Sequence, residues 1–254
     1  MKIVIAGVGY VGNAIDTVLE QKHDTYIVDP KLNTNKISDI DYDALIICVS
    51  TPAENNGACN MQNVFDCIDD SNNKPILIKS TISLEGWNSI KEKYPNKDIT
   101  FSPEFLRAET SLTDFATQET MYLSEGNHLF WIDIFKPLLP KVGYKLGTAK
   151  ELILAKYFRN TFLATKVSFF NQIFDLCEAL EIDFDTVRRF ITDDNRIGKS
   201  HSKVAKKRGF GGHCFPKDAD AILKSANEAG YDLSLIKEAV DYNKRIRWAK
   251  DETA

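Results

Sequence analysis

Five short apolar runs, "KIVIAG" from Lys2, "TYIVD" from Thr25, "ALIICVS" from Ala44, "PILIKST" from Pro75 and "ITFSP" from Ile99, set the tightest limit on what this chain can fold into. Each is bounded by turn or polar residues and separated from the next by a helical pattern, which predicts a parallel α/β sheet. "ALIICV" does not alternate, as expected of a strand covered by helices on both faces. From about residue 148 the strand candidates disappear. Leu152, Ala155, Phe158, Leu163, Val167, Phe170 and Phe174 recur at roughly helical spacing and predict a long helix from near Thr148 to near Leu180. A helix of that length normally packs against a second domain or a second subunit. Shorter helices follow at "DFDTVRRFI", "PKDADAILKSANEAG" and "LSLIKEAVDYNKRIRWAK", with Asp or Ser at their N-caps. The fold class is therefore α/β, a doubly wound parallel sheet over residues 1–147 followed by an all-α domain over 148–254.

The first loop refines that reading. "GVGYVG", Gly7 to Gly12, follows a strand and opens a helix, the context in which G-x-G-x-x-G marks a Rossmann-like dinucleotide site. Gly7 permits the turn, Gly9 admits a pyrophosphate to the backbone and Gly12 allows close helix–strand packing, with Val8, Tyr10 and Val11 between them. The helix N-terminus supplies N–H groups and a positive dipole end. Asp29 ends the second strand, where an acid accepts hydrogen bonds from the adenosine ribose and favours NAD over NADP. Lys31 lies close enough to soften that preference.

The chain's 254 residues, 43% of them hydrophobic, are enough for one large or two modest cores. A net charge of −4 argues against a broad nucleic-acid footprint, the basic "KVAKKR" at 203–208 being the exception. The five cysteines form no C-x-x-C pair, which argues against a disulfide scaffold or structural zinc. His23, His128 and His201 show no metal-ligand spacing, and His213 reads as a neighbour of Cys214 rather than its base. Cys48 and Cys177 read as packing residues. No run approaches the length needed to cross a bilayer. A cytoplasmic protein without metal or membrane partner is expected.

Chemistry concentrates in "VSTP" (49–52), "KST" (79–81), "SPEFLR" (102–107), "KYFRN" (156–160), "RIG" (196–198) and "RGFGGHCFPKD" (208–218). The first three follow predicted strands and so lie at strand C-terminal ends, where ligands bind in open α/β sheets. Cys214 sits among glycines with a lysine and a carboxylate in the next turn, the setting of a reactive thiol or of a glycine turn with an incidental cysteine. In this order the segments resemble the nucleotide-sugar 6-dehydrogenases over nearly the whole chain.

The resemblance implies that a sugar C6 alcohol is oxidised twice by NAD, through an aldehyde and a cysteine thioester, to a carboxylate. It implies that Cys214 is the nucleophile and that Lys156 and Asn160, four apart on one helix face, stabilise charge on the reacting oxygen. Thr81 and Asp218 would organise water, and Glu104 would act as base in thioester hydrolysis. Ser50, Thr51 and Lys217 would line the cofactor. Phe105, Leu106, Phe210 and Gly211 would line the substrate, together with Glu104, Lys156, Asn160 and an Arg196 reaching across a homodimer formed through the long helix.

Three departures stand beside the resemblance. Members of the family continue past the position matching "YNKRIRWAK" into a second α/β domain, whereas the sequence here ends at Ala254. Ala108 replaces a glutamate, with Glu109 one position late. The loop "KSHSKVAKKR" (199–208) is unusually basic, a solvated loop on one reading and a pyrophosphate cradle on the other. Two other functions stay open, a catalytically impaired NAD-binding or assembly module needing a partner chain, and a single-oxidation dehydrogenase of the 3-hydroxy-acid kind.

Overall fold

The computed structural model describes residues 1–254 except 33–34, 55–56, 213 and 252–254. The chain divides into two compact units, Met1–Lys156 and Tyr157–Ala254.

In the first unit five predicted strands form, β1 (Lys2–Ala6), β2 (Asp24–Val28), β3 (Ala44–Ile47), β4 (Ile76–Ile78) and β5 (Ile99–Phe101). They pair in the order β2-β1-β3-β4-β5, every pairing parallel. Ile3, Val4 and Ile5 are all fully buried although successive side chains point to opposite faces, so both faces are covered. The coverage comes from α1 (Tyr10–Leu19), α2 (Gln62–Asp69), α3 (Leu84–Lys93), α4 (Ser111–Ala116) and α5 (His128–Phe135). Ile15, Val18 and Leu19 of α1, Phe115 of α4, and Trp131 and Phe135 of α5 share one core cluster with Ile3, Ile5, Ile46 and Leu77 of the sheet.

A second, two-stranded parallel sheet of β6 (Thr120–Leu123) and β7 (Gly143–Leu146) was not foreseen. Their sequences are short and lack the bracketing of the other strands. Three of the four residues of β7 are exposed, which removes the continuous apolar run by which a buried strand is recognised.

The long helix, α6, spans Ala149–Ala179. Its residues up to Lys156 belong to the first unit and those from Tyr157 to the second. The second unit adds α7 (Phe184–Thr192), α8 (Cys214–Glu228) and α9 (Ser234–Asp251). Asp183 caps α7, its carboxylate accepting the Thr186 N–H at 3.0 Å. Two small cores hold this unit. Ala164, Phe210, Ala219 and Val240 form one, and Phe170, Cys177 and Phe184 form the other. No helix among the described residues is long and apolar enough to cross a membrane.

Candidate active site

Strand order places the chemistry of the first unit. β1 pairs with β2 on one side and β3 on the other, so the connections leaving β1 and β3 diverge at their C-terminal ends, the switch point at which an open sheet offers a crevice. Gly7 follows β1 with φ +93°, a left-handed conformation, and a Cβ there would stand 2.9 Å from the backbone of Cys48 and Val49. A Cβ on Gly12 would lie 2.0 Å from the Gly7 carbonyl oxygen. At Gly9, by contrast, a Cβ would find no protein atom within 4 Å. The helix N-terminus beginning there carries no side-chain cap. These features fit a pyrophosphate lying against bare backbone at a positive helix end.

Asp29 ties this loop to the end of β2. Its Oδ2 accepts the Val8 N–H and its Oδ1 the Lys31 N–H, each at 2.9 Å. Those donors, Val8 foremost, hold the carboxyl below its usual range. Tyr10 is exposed and Val11 half-buried. The Ser50 carbonyl accepts the Asn63 amide at 2.9 Å. Thr51 is buried and donates its hydroxyl to the Thr81 carbonyl at 2.7 Å, drawing together the ends of β3 and β4.

At the end of β5, Glu104 is buried and held at several points. Its Oε1 accepts the Phe105 N–H at 3.0 Å, and Oε2 lies 2.7 Å from the Lys79 ammonium. Its carbonyl accepts the Lys156 ammonium at 2.5 Å. Lys156 also lies 5.3 Å from the centre of the Phe105 ring. Leu106 packs against the main core. Ala108 and Glu109 are both exposed in a single 3₁₀ turn.

In the second unit Cys214 is the first residue of α8 and is half-buried. Asp218, one turn on and on the same face, is 1% exposed. Its Oδ2 accepts the Asn160 amide at 2.6 Å, and its Oδ1 lies 3.0 Å from the Lys217 ammonium. The loop before the cysteine is clamped from two helices. Asn243 accepts the Phe210 N–H at 2.7 Å and donates to the Phe210 carbonyl at 3.0 Å. Asn171 accepts the Gly209 N–H at 3.1 Å and the Arg208 side chain at 2.9 Å. The glycines serve this clamp, since a Cβ on Gly209 would stand 2.2 Å from Asn243 Oδ1 and one on Gly211 2.8 Å from Arg247 Nη1. Arg208 itself takes φ +58°, held there by Asn171, by Asp175 and by the Phe174 ring.

Arg196 is exposed and forms a two-pronged pair with Asp194, at 3.0 and 2.5 Å. His213 lies outside the described residues. Burial pushes the thiols of Cys48 and Cys67 up to about 12, so neither competes as a nucleophile at neutral pH. Among the described residues no group of three or more His, Cys, Asp or Glu could hold a metal.

Lys79, Asn171, Arg208, Asn243 and Arg247 were not singled out from the sequence. A lysine closing a buried strand was the available signal for Lys79, because lysine is almost never fully buried unless paired. The signal for Asn171 was an amide beside the apolar stripe of a helix.

Two domains of one family match this chain. Residues 32–128 match the NAD binding domain of the UDP-glucose/GDP-mannose dehydrogenase family, and residues 150–245 match its central domain. The UDP-glucose 6-dehydrogenase of Rickettsia prowazekii is 32% identical over 218 residues, 80% of this chain and 49% of that protein. The chain thus spans about half that relative's length. The Campylobacter jejuni UDP-glucose 6-dehydrogenase is 28% identical, covering 96% of this chain and 72% of the relative. Among solved structures, a UDP-glucose dehydrogenase from Pyrobaculum islandicum shares the fold with a TM-score of 0.83 at 23% identity, over 96% of this chain and 68% of that one. The 3-hydroxyisobutyrate dehydrogenase of Mycobacterium tuberculosis also shares it, with a TM-score of 0.73 at 18% identity, over 96% and 92%.

Proposed function

We propose that this chain, which belongs to the UDP-glucose/GDP-mannose dehydrogenase family, oxidises the C6 alcohol of a nucleotide sugar, UDP-glucose in the first instance, to the carboxylate. The observation that carries this reading is the buried Asp218 carboxylate, one helical turn beyond Cys214 and bonded to Asn160. A thiol at a helix N-terminus with a buried acid and an amide on hand is suited to forming and then hydrolysing an acyl-sulfur bond.

The glycine loop and Asp29 would hold NAD, with Ser50, Thr51 and Lys217 beside it. When bound, NAD⁺ accepts one hydride in each of the two oxidations. The protein's residues do the remainder. Lys156 and Asn160 donate to the C6 oxygen and stabilise the charge it carries as its proton leaves. Cys214 sulfur adds to the aldehyde carbon, giving a thiohemiacetal that the second oxidation converts to a thioester. Water ordered by Thr81 and Asp218 then attacks the thioester carbon. Glu104 takes a proton from that water, the C–S bond breaks, and the thiol is restored with a carboxylate as product. Phe105, Leu106, Phe210 and Gly211 would shape the sugar site, and the exposed Lys203, Lys206 and Lys207 would offer charge to the pyrophosphate.

We place the active form in the cytoplasm as a homodimer. Phe158, Phe162, Phe169 and Leu176 are exposed on α6 and fall within about 40° of one another at 100° per residue. That stripe is suited to a second copy, and the exposed Arg196, on exchanging its Asp194 partner, would reach the partner's substrate.

Incubating the chain with NAD⁺ and a panel of UDP- and GDP-sugars, and counting NADH per sugar consumed, tests the reading. Two are expected. One would point to a single oxidation of the 3-hydroxy-acid kind, and none with clear NAD binding to a module without catalysis. Cys214→Ser should abolish acid formation while leaving NAD affinity unchanged. Full retention of double oxidation in that variant would sink the mechanism.

A further inference from the structure

The lysine that closes β4 is burdened with more than strand termination. Lys79 has a 1% exposed side chain, and a buried ammonium is tolerated only where partners replace its water. Its Nζ donates to the Ser102 hydroxyl at 3.0 Å, lies 2.7 Å from Glu104 Oε2 and stands 6.0 Å from the centre of the Phe115 ring. The Glu104 side chain is itself only 7% exposed. The groups around this carboxylate are the Lys79 ammonium from β4, the Ser102 hydroxyl after β5, the Phe105 N–H, the Lys156 ammonium on the Glu104 carbonyl, and the raised thiol of Cys48 after β3. Of these, Lys79 is the cation set against the carboxylate itself.

We propose that Lys79 is a positioning residue for Glu104, a buried cation that fixes Oε2 and supplies the countercharge that holds the side chain as a carboxylate. The consequence for turnover rests on the reading of Glu104 as the base of thioester hydrolysis. A proton acceptor that is already protonated cannot take a proton from water, so the last step depends on Lys79 although Lys79 need touch neither sugar nor cofactor.

Infrared difference spectra test the ionisation without turnover. Wild type minus Glu104→Gln isolates the Glu104 carboxyl, and it should show a carboxylate band at pH 7. In the Lys79→Met background the same subtraction should show a protonated carboxyl, and in Lys79→Arg the carboxylate should return. A protonated Glu104 in the wild type, or an ionised one in Lys79→Met, would overturn the proposal. The wild-type spectrum decides even if Lys79→Met fails to fold. Where the wild type turns over nucleotide sugars, Lys79→Arg should keep most of kcat, and Lys79→Met should lower it. Lys79→Met should also give a burst of two NADH per site before a slow steady state, with KM little changed. A wild type that turns over no sugar would defeat the functional reading and leave the spectral result to stand or fall by itself.

Discussion

Asp29 has both carboxylate oxygens engaged by backbone N–H groups, so the acid expected to meet the ribose also anchors the loop expected to meet the phosphates. Its carboxyl is held below the usual range by those donors. A depressed native value contributes stability above the unfolded value, lost only as pH falls through the native one. NADH affinity, followed by fluorescence titration, should therefore stay flat from neutrality to about pH 4 and decline below it. Asp29→Ala should weaken binding at every pH. Glu104 carries a different risk. Glu104→Ala would strand the Lys79 ammonium in the core, and removing one partner of a buried pair costs about 3–5 kcal/mol. Urea unfolding should register that loss, and the double variant Lys79→Met/Glu104→Leu should regain most of it. Neither role can be inferred from local strings. "KST" directs attention to its threonine, and only the neighbouring strand brings "SPEF" against its lysine.

At the level of elements, the loop into α8 is shaped by helices distant in sequence. Asn243 of α9 fills both the donor and the acceptor of Phe210. Asn243→Ala would leave a buried N–H and carbonyl unpaired, at about 1–3 kcal/mol. The loop into α8 should loosen with it, so Cys214 alkylation by iodoacetamide should change in rate while NAD affinity stays as it was. An unchanged rate would mean that the loop holds itself. The five main strands were legible as bounded apolar runs, and α6 by its helical spacing. The cysteine segment was legible only as a motif, since Gly209 and Gly211 read equally well as room for a ligand. They accommodate Asn243 and Arg247, residues more than thirty positions away. β6 and β7 escaped because half-exposed four-residue strands carry too little pattern.

At the scale of the whole molecule, the exposed stripe of α6 bears on assembly. An apolar seam of this kind argues for association, and charge placed in it should prevent association without touching either core. Phe162→Glu/Phe169→Glu should shift the mass measured by light scattering from dimer to monomer, with the melting temperature measured at matched protomer concentration to expose any coupling. If Arg196 serves a neighbour's substrate, the same variant should lose acid formation and keep NAD binding. The sheet has a consequence of another kind. β1 lies in the interior of the sheet, yet both strands that flank it come later in the chain, and β3 pairs with it across some forty residues, Ile3 with Ala44. During synthesis this apolar interior strand therefore leaves the ribosome with neither edge covered. It must wait for β3, a delay that favours chaperone capture or aggregation of nascent chains over early native pairing.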